Sequence, residues 1–231
     1  MATNTKGPAR LVRRAFLLPA PLALGPGNPY ITGMTASSTP SRVQRLRDAT
    51  HEAHATLDKA LMDRDSFASL AGYAPFLTMQ HAFHRDIDAL YADRALGAAF
   101  PGLAARRRLP LLEQDLADLG LTPVPAAPAF DGSLPFATAL GWLYVAEGSN
   151  LGAAVLRKLV ARIGLSDTFG ARHLAPAQEG PAAHWRAFVE VLDALPLSPE
   201  EESQAIAGAR AAFAHVAALA HITAPAPVAQ G

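Results

Sequence analysis

Tyr144-Val145-Ala146-Glu147-Gly148-Ser149-Asn150-Leu151-Gly152-Ala153-Ala154-Val155-Leu156 is a helix-forming run interrupted twice by glycine. Glycine inside a helix costs up to roughly 1 kcal/mol relative to alanine. Gly148 and Gly152 stand four apart and so share one helical face. A helix leaves a face bare where something approaches its backbone, and that partner is either another helix or a flat ligand. Working outward, Ser133-Leu134-Pro135 opens this helix and Gly164 closes it. Its apolar run from Leu134 to Ala146 spans 13 residues, too short for a membrane span and suited to a buried core helix. No other segment reads as a span.

The helical period continues on both sides. Val43, Leu46, Thr50, Ala53, Leu57 and Leu61 step by three and four behind Ser41, a good N-cap. Pro75 is placed to open a second helix striped by Phe76, Met79, Phe83, Ile87 and Leu90. A third carries Leu109, Leu112, Leu116 and Leu119 and stops at Gly120, before a proline-rich loop from Thr122 to Pro128. A shorter helix holds Trp185, Phe188 and Leu192. Ser198-Pro199-Glu200-Glu201-Glu202 begins the last, with a cap, a first-turn proline and acids at the positive end of the dipole; it runs to about His221.

Composition agrees with close-packed helices. Of 231 residues 50% are hydrophobic and only 7% aromatic, and no stretch alternates as a half-buried strand does. Twenty basic and 20 acidic residues leave no net charge, so nucleic acid has no electrostatic attraction to it. The absence of cysteine excludes disulfides, zinc-thiolate sites and thiolate nucleophiles, and fits a reducing, cytoplasmic setting.

Residues 1–39 stand apart as a disordered or mis-assigned extension. Arg13-Arg14-Ala15-Phe16-Leu17 faintly resembles a twin-arginine signal, but Pro19, Pro21, Pro26 and Pro29 break the apolar stretch, and Met34 reads as a natural start. The domain is expected over 40–222, followed by a disordered tail over 223–231.

Two pairs have His-x-x-His spacing, His51/His54 and His81/His84. At about 100° per residue, His54 falls roughly 20° from Val43 and Leu61, and His51 roughly 60° further out. Arg47 lies two turns before His54 on nearly the same side. His54 is therefore either a core-edge histidine bonded to a carbonyl or a metal or haem ligand. His81 and His84 read as solvated flanks of Phe83, and His173 and His184 carry no signal.

Leu46-Arg47-Asp48-Ala49-Thr50-His51-Glu52-Ala53-His54 resembles the proximal-helix motif of haem oxygenases, in which the last histidine is the axial iron ligand. Leu112-Glu113-Gln114-Asp115-Leu116-Ala117, after Arg106-Arg107-Arg108, is similar to a second family segment. Glu147-Gly148-Ser149-Asn150-Leu151-Gly152 looks like the glycine-rich distal helix in its bacterial form. The resemblance spans roughly residues 40–222. It implies an all-α, single-domain multi-helix bundle of haem-oxygenase type that binds haem b as cofactor and substrate. His54 would ligate the iron. Gly148, Ser149 and Gly152 would form the distal, catalytic face. Arg47, with His51 and Arg186, would meet the propionates. The implied reaction cleaves haem to biliverdin, carbon monoxide and ferrous iron. Dioxygen and an external electron donor, a ferredoxin or a reductase, would drive it, with a bilin-binding photoreceptor as a partner by analogy.

Ser149 stands where mammalian members have an aspartate, and Ala153 where they have a second glycine. Three other readings compete with this one. A haem carrier or sensor on the same fold would bind haem without turnover. A carboxylate-bridged di-metal bundle needs two Glu-x-x-His motifs, and Asp48-x-x-His51 is the nearest approach. In a purely structural bundle the glycines would only let helices pack. A related thiamin-salvage family relies on a cysteine that this chain lacks.

Overall fold

The computed structural model describes residues 40–130 and 133–223. The expectations for 1–39 and for the tail beyond Thr223 lie outside them. Helix α1, Arg42–Asp63, starts where the Ser41 hydroxyl accepts the Gln44 amide at 3.3 Å. Helix α2, Leu70–Ile87, starts five residues before Pro75. The Ser69 hydroxyl caps it by accepting the Gly72 amide at 3.1 Å, so a capping side chain, not the proline, sets this start. Then follow α3 (Arg94–Ala99), α4 (Leu109–Asp118), α5 (Phe136–Val160), α6 (Pro181–Ala194) and α7 (Pro199–Ile222), with 3-10 turns at Asp88–Ala92, Leu103–Arg106, Ala161–Ile163 and Arg172–Leu174. The described residues contain no strand, only isolated bridges from Ser166 to Phe169 and Gly170, so the fold is all-α.

Helix ends obey local chemistry. Gly120 sits at φ 62° just past α4, and the Leu121 amide reaches back to the Leu116 carbonyl at 2.9 Å. Ser198 and Glu201 form a reciprocal capping box at α7.

Helix α5 is the centre of the bundle. Every residue from Ala139 to Glu147 is buried, because α7, α6 and α2 surround it. Its broadest contact is with α7, through two glycines to which the sequence reading assigned no role. A methyl group on Gly141 would collide with the Ala205 carbonyl and the Ala209 amide, and one on Gly208 with the Thr138 carbonyl. The two backbones touch there. Helix α7 is long and apolar enough, by length and composition, to cross a membrane, which corrects the expectation that no segment is; here much of it is buried against α5 and α1.

Helix α1 is held at its start. Buried Arg42 donates to the Leu192 and Leu195 carbonyls at the end of α6 and, at 2.7 Å, to Glu202 in the first turn of α7. Arg45 joins Glu202 at 2.8 Å. This anchorage sets where the histidines three turns further along α1 point.

Candidate active site

A cavity of about 120 Å³ lies between α1 and α5, closed at the sides by α2 and α7. Its walls carry Arg47, His51 and His54 from α1 and Gly148 and Ser149 from α5, so five of the residues singled out in the sequence meet here. Gly152 is buried one turn beyond and does not line the cavity, and Arg186 is exposed on α6 outside it. Most of the lining is apolar: Leu57, Leu61, Met79, Phe83, Val145, Phe213 and Val216.

His54 is partly buried, with its Nδ1 3.2 Å from Asp58 Oδ2, one turn further along α1. The Phe213 ring meets it edge-on at 5.5 Å. A carboxylate on Nδ1 holds the proton there and leaves Nε2 as the basic nitrogen, the tautomer that a metal takes. Across the cavity stands Tyr144, whose buried hydroxyl has no well-formed hydrogen bond among the described residues. Burial pushes this phenol up, against the opposing pull of the Thr50 hydroxyl and the Arg47 charge.

Gln80 and Ser149 also border a second, smaller cavity of about 20 Å³, together with His84, Arg108, Asn150, Ala153 and His173. That is room for about one water molecule. His84 Nδ1, His173 Nε2 and Asn150 Nδ2 are buried without hydrogen-bond partners among the described residues. The Ser149 hydroxyl instead donates to the Ala146 carbonyl at 2.7 Å.

Asp115, from the second family-like segment, organises this region. It lies 2.8 Å from His173 Nδ1 and accepts the Arg172 and His173 amides at 2.9 and 3.0 Å. Burial alone would raise its carboxyl, but these bonds hold it below the usual range. Burial pushes the His84 imidazole down to about 3, helped by the neighbouring His173 and Arg108. Burial also lowers His173, against the opposing effect of Asp115. Both rings are therefore neutral near pH 7.

The readings of His81 and His84 as solvated and of His173 as silent are overturned: all three are buried. Residues 76–79 and 81–84 of α2 are all buried, so that stretch has no solvated face. The signal that could have shown this was the density of apolar residues around both histidines. His173 had none, because it lies in a 3-10 turn that is held by Asp115 and packs against residues distant in the chain. Among the described residues no three His, Asp or Glu side chains gather to hold an ion, so the di-metal reading finds no site.

The arginine run divides its work. Arg107 pairs with Asp88 at 2.5 Å, Arg108 reaches the Ala175 carbonyl at 3.1 Å beside the second cavity, and Arg106 reaches Glu147 at 2.7 Å.

Comparison with known proteins gives the family. A family profile described as Heme oxygenase matches residues 133–221, which cover α5 to α7. The chain is 45% identical to the haem oxygenase PigA of Pseudomonas aeruginosa over 174 residues, 74% of this chain and 87% of that protein. It is 35% identical to a haem oxygenase of Xanthomonas campestris over 143 residues, 62% of this chain and 85% of that one. A solved structure of the NO- and CO-bound haem oxygenase from Neisseria meningitidis superposes with a TM-score of 0.73 at 42% identity, covering 83% of this chain and 96% of that one. The chain belongs to the haem oxygenase family.

Proposed function

We propose that this protein cleaves haem to biliverdin, carbon monoxide and ferrous iron, using dioxygen and electrons from an external donor such as a ferredoxin or a reductase. The observation that carries this reading is the opposition of His54, its Nδ1 engaged by Asp58, to Gly148 across one mostly apolar cavity.

The residues fit the group. Apolar walls suit a porphyrin, an aspartate-oriented imidazole suits its iron, and Arg47 and His51 at the cavity wall suit its propionates. Arg186, exposed outside the cavity, leaves that pairing to them. At about 120 Å³ the cavity is smaller than the roughly 300–1,000 Å³ of ordinary ligand pockets. Haem therefore enters by parting α1 and α5, and the glycine segment is where α5 bends most easily.

Bound haem supplies the iron that activates dioxygen and is itself the molecule oxidised. The chain supplies placement. His54 would hold the iron through Nε2, with Asp58 keeping the ring oriented. Gly148 would bring bare backbone close to the bound ring. Gln80 connects the haem side to the small cavity, where His84 Nδ1, His173 Nε2 and Asn150 Nδ2 can hold a water. His173 donates a hydrogen bond from Nδ1–H to the Asp115 carboxylate, so its Nε2 accepts. Neutral imidazoles and a water held there would carry protons toward the haem side, while the Ser149 hydroxyl is turned to the Ala146 carbonyl.

Haemin titration of the purified protein, followed by ascorbate or a reductase system in air, tests the reading. Loss of the Soret band with growth of a broad red biliverdin absorption is expected. A Soret band that persists favours a carrier or sensor, and no Soret shift on adding haemin removes both. His54→Ala is expected to abolish normal axial ligation and His51→Ala to leave it largely intact.

A further inference from the structure

A fully enclosed charge close to the cavity sits on the wrong side of α5 to touch haem. Glu147 directly precedes Gly148, and its carboxylate is fully buried. At about 100° per residue it points roughly 130° from the centre of the face that Tyr144, Val145, Gly148 and Ser149 turn to the cavity. Three elements converge on it there. The Tyr91 hydroxyl donates to Oε1 at 3.1 Å from one 3-10 turn. Arg106 donates to Oε2 at 2.7 Å from the next. His184 Nε2, in the first turn of α6, lies 3.5 Å from the same oxygen.

These partners are themselves tied down. Arg106 also donates to the His184 carbonyl at 3.2 Å, with its guanidinium 5.8 Å from the Phe188 ring centre. His184 Nδ1 lies 2.7 Å from Glu179. Among the described residues nothing comparable grips the segment from the haem side, where Gly148 presents no side chain. A helix softened by two glycines and gripped on one side takes its height and rotation from that grip.

We infer that Glu147 is a positioning residue: through Tyr91, Arg106 and His184 it sets where Gly148 and Ser149 stand over the haem face, and so which meso edge of the ring meets oxygen. This rests on the haem-cleaving reading above. A buried carboxylate that served stability alone could sit anywhere in the core. Here it is the residue next to the distal glycine, and its cation comes from the arginine run whose other members go elsewhere.

The test uses the full chain loaded with haem and two readouts: the biliverdin isomers formed on turnover, and hydrogen exchange of the amides around 148–152 without turnover. Glu147→Gln is expected to keep the Soret band set by His54. It should raise exchange in that segment at least tenfold relative to the rest of α5, and let a second biliverdin isomer exceed a fifth of the product. Arg106→Met should do the same, and Arg106→Lys, which keeps the cation, should restore the original isomer pattern. An unchanged isomer and unchanged local exchange overturn the proposal. So does uniform loosening of all helices with a single isomer, the mark of an ordinary buried ion pair. If Glu147→Gln does not fold, Tyr91→Phe, which removes one hydroxyl, decides between the same outcomes at smaller amplitude. Haem bound by the wild type without biliverdin would instead remove the catalytic reading, and the exchange arm would still judge the positioning.

Discussion

At the residue scale, His54 and Asp58 show how one helical turn would prepare a histidine for the ligand role proposed above. The carboxylate stands 3.2 Å from Nδ1 and fixes both the tautomer and the ring plane. Removing such a partner costs metal sites about 10–100-fold in affinity or activity. Asp58→Ala is accordingly expected to weaken haemin binding by about that factor, read from the Soret titration, while the chain keeps its fold, because Asp58 is at the cavity edge. His51 makes the contrast: it is the same residue type three positions away, but it is exposed at the cavity wall. The helical phase that separated the two was legible in the sequence. Asp58 was not singled out there, because its meaning depends on where His54 faces.

At the element scale, α5 carries two kinds of glycine that look alike in sequence. Gly141 lies against the backbone of α7 and has no room for a methyl group. Gly148 lies on the wall of the cavity. The two are expected to respond with opposite sign to the same substitution. Gly141→Ala overpacks a backbone contact and should destabilise the protein by at least about 2 kcal/mol. Gly148→Ala should leave the haem-free protein as stable or more stable by up to about 1 kcal/mol, since alanine is the better helix former, while weakening haem binding and turnover. Chemical denaturation and haemin titration of both variants check this. Gly141 meets a helix, whereas Gly148, one of the two glycines whose partner was in question, lies on a cavity wall where the proposed haem would stand. Helix starts show a similar division. Ser41 and Ser198 were readable because capping is local, whereas the start of α2 moved because Ser69 and Pro75 both favour helix starts and the cap prevailed.

At the scale of the whole molecule, the buried imidazoles tie folding to pH. The folded-state value of His84 is pushed down to about 3, while in the unfolded chain it titrates near about 6.5. A depressed value means that the unfolded state takes up the proton first, so this contribution is fully present above about pH 6.5 and is lost as pH falls toward 3. The slope from one such group is about 1.4 kcal/mol per pH unit, or about 2 kcal/mol lost by pH 5. Denaturant midpoints between pH 7 and 5 are expected to fall accordingly, and His84→Gln is expected to flatten that fall, leaving what His81 and His173, which burial also lowers, contribute.

The sequence by itself determined the longer helices, the caps at Ser41 and Ser198, the inward phase of His54 and the family likeness, because these depend on residues within a few turns of one another, whereas the short helix Arg94–Ala99 was not read from it. Only the tertiary structure decided which glycine meets a helix and which lines the cavity, that His84 and His173 are buried beside the distal helix, and that Arg106 from a distant turn grips Glu147. These contacts join residues tens of positions apart, and burial, which sets their charge and their chemistry, exists only once the helices have packed.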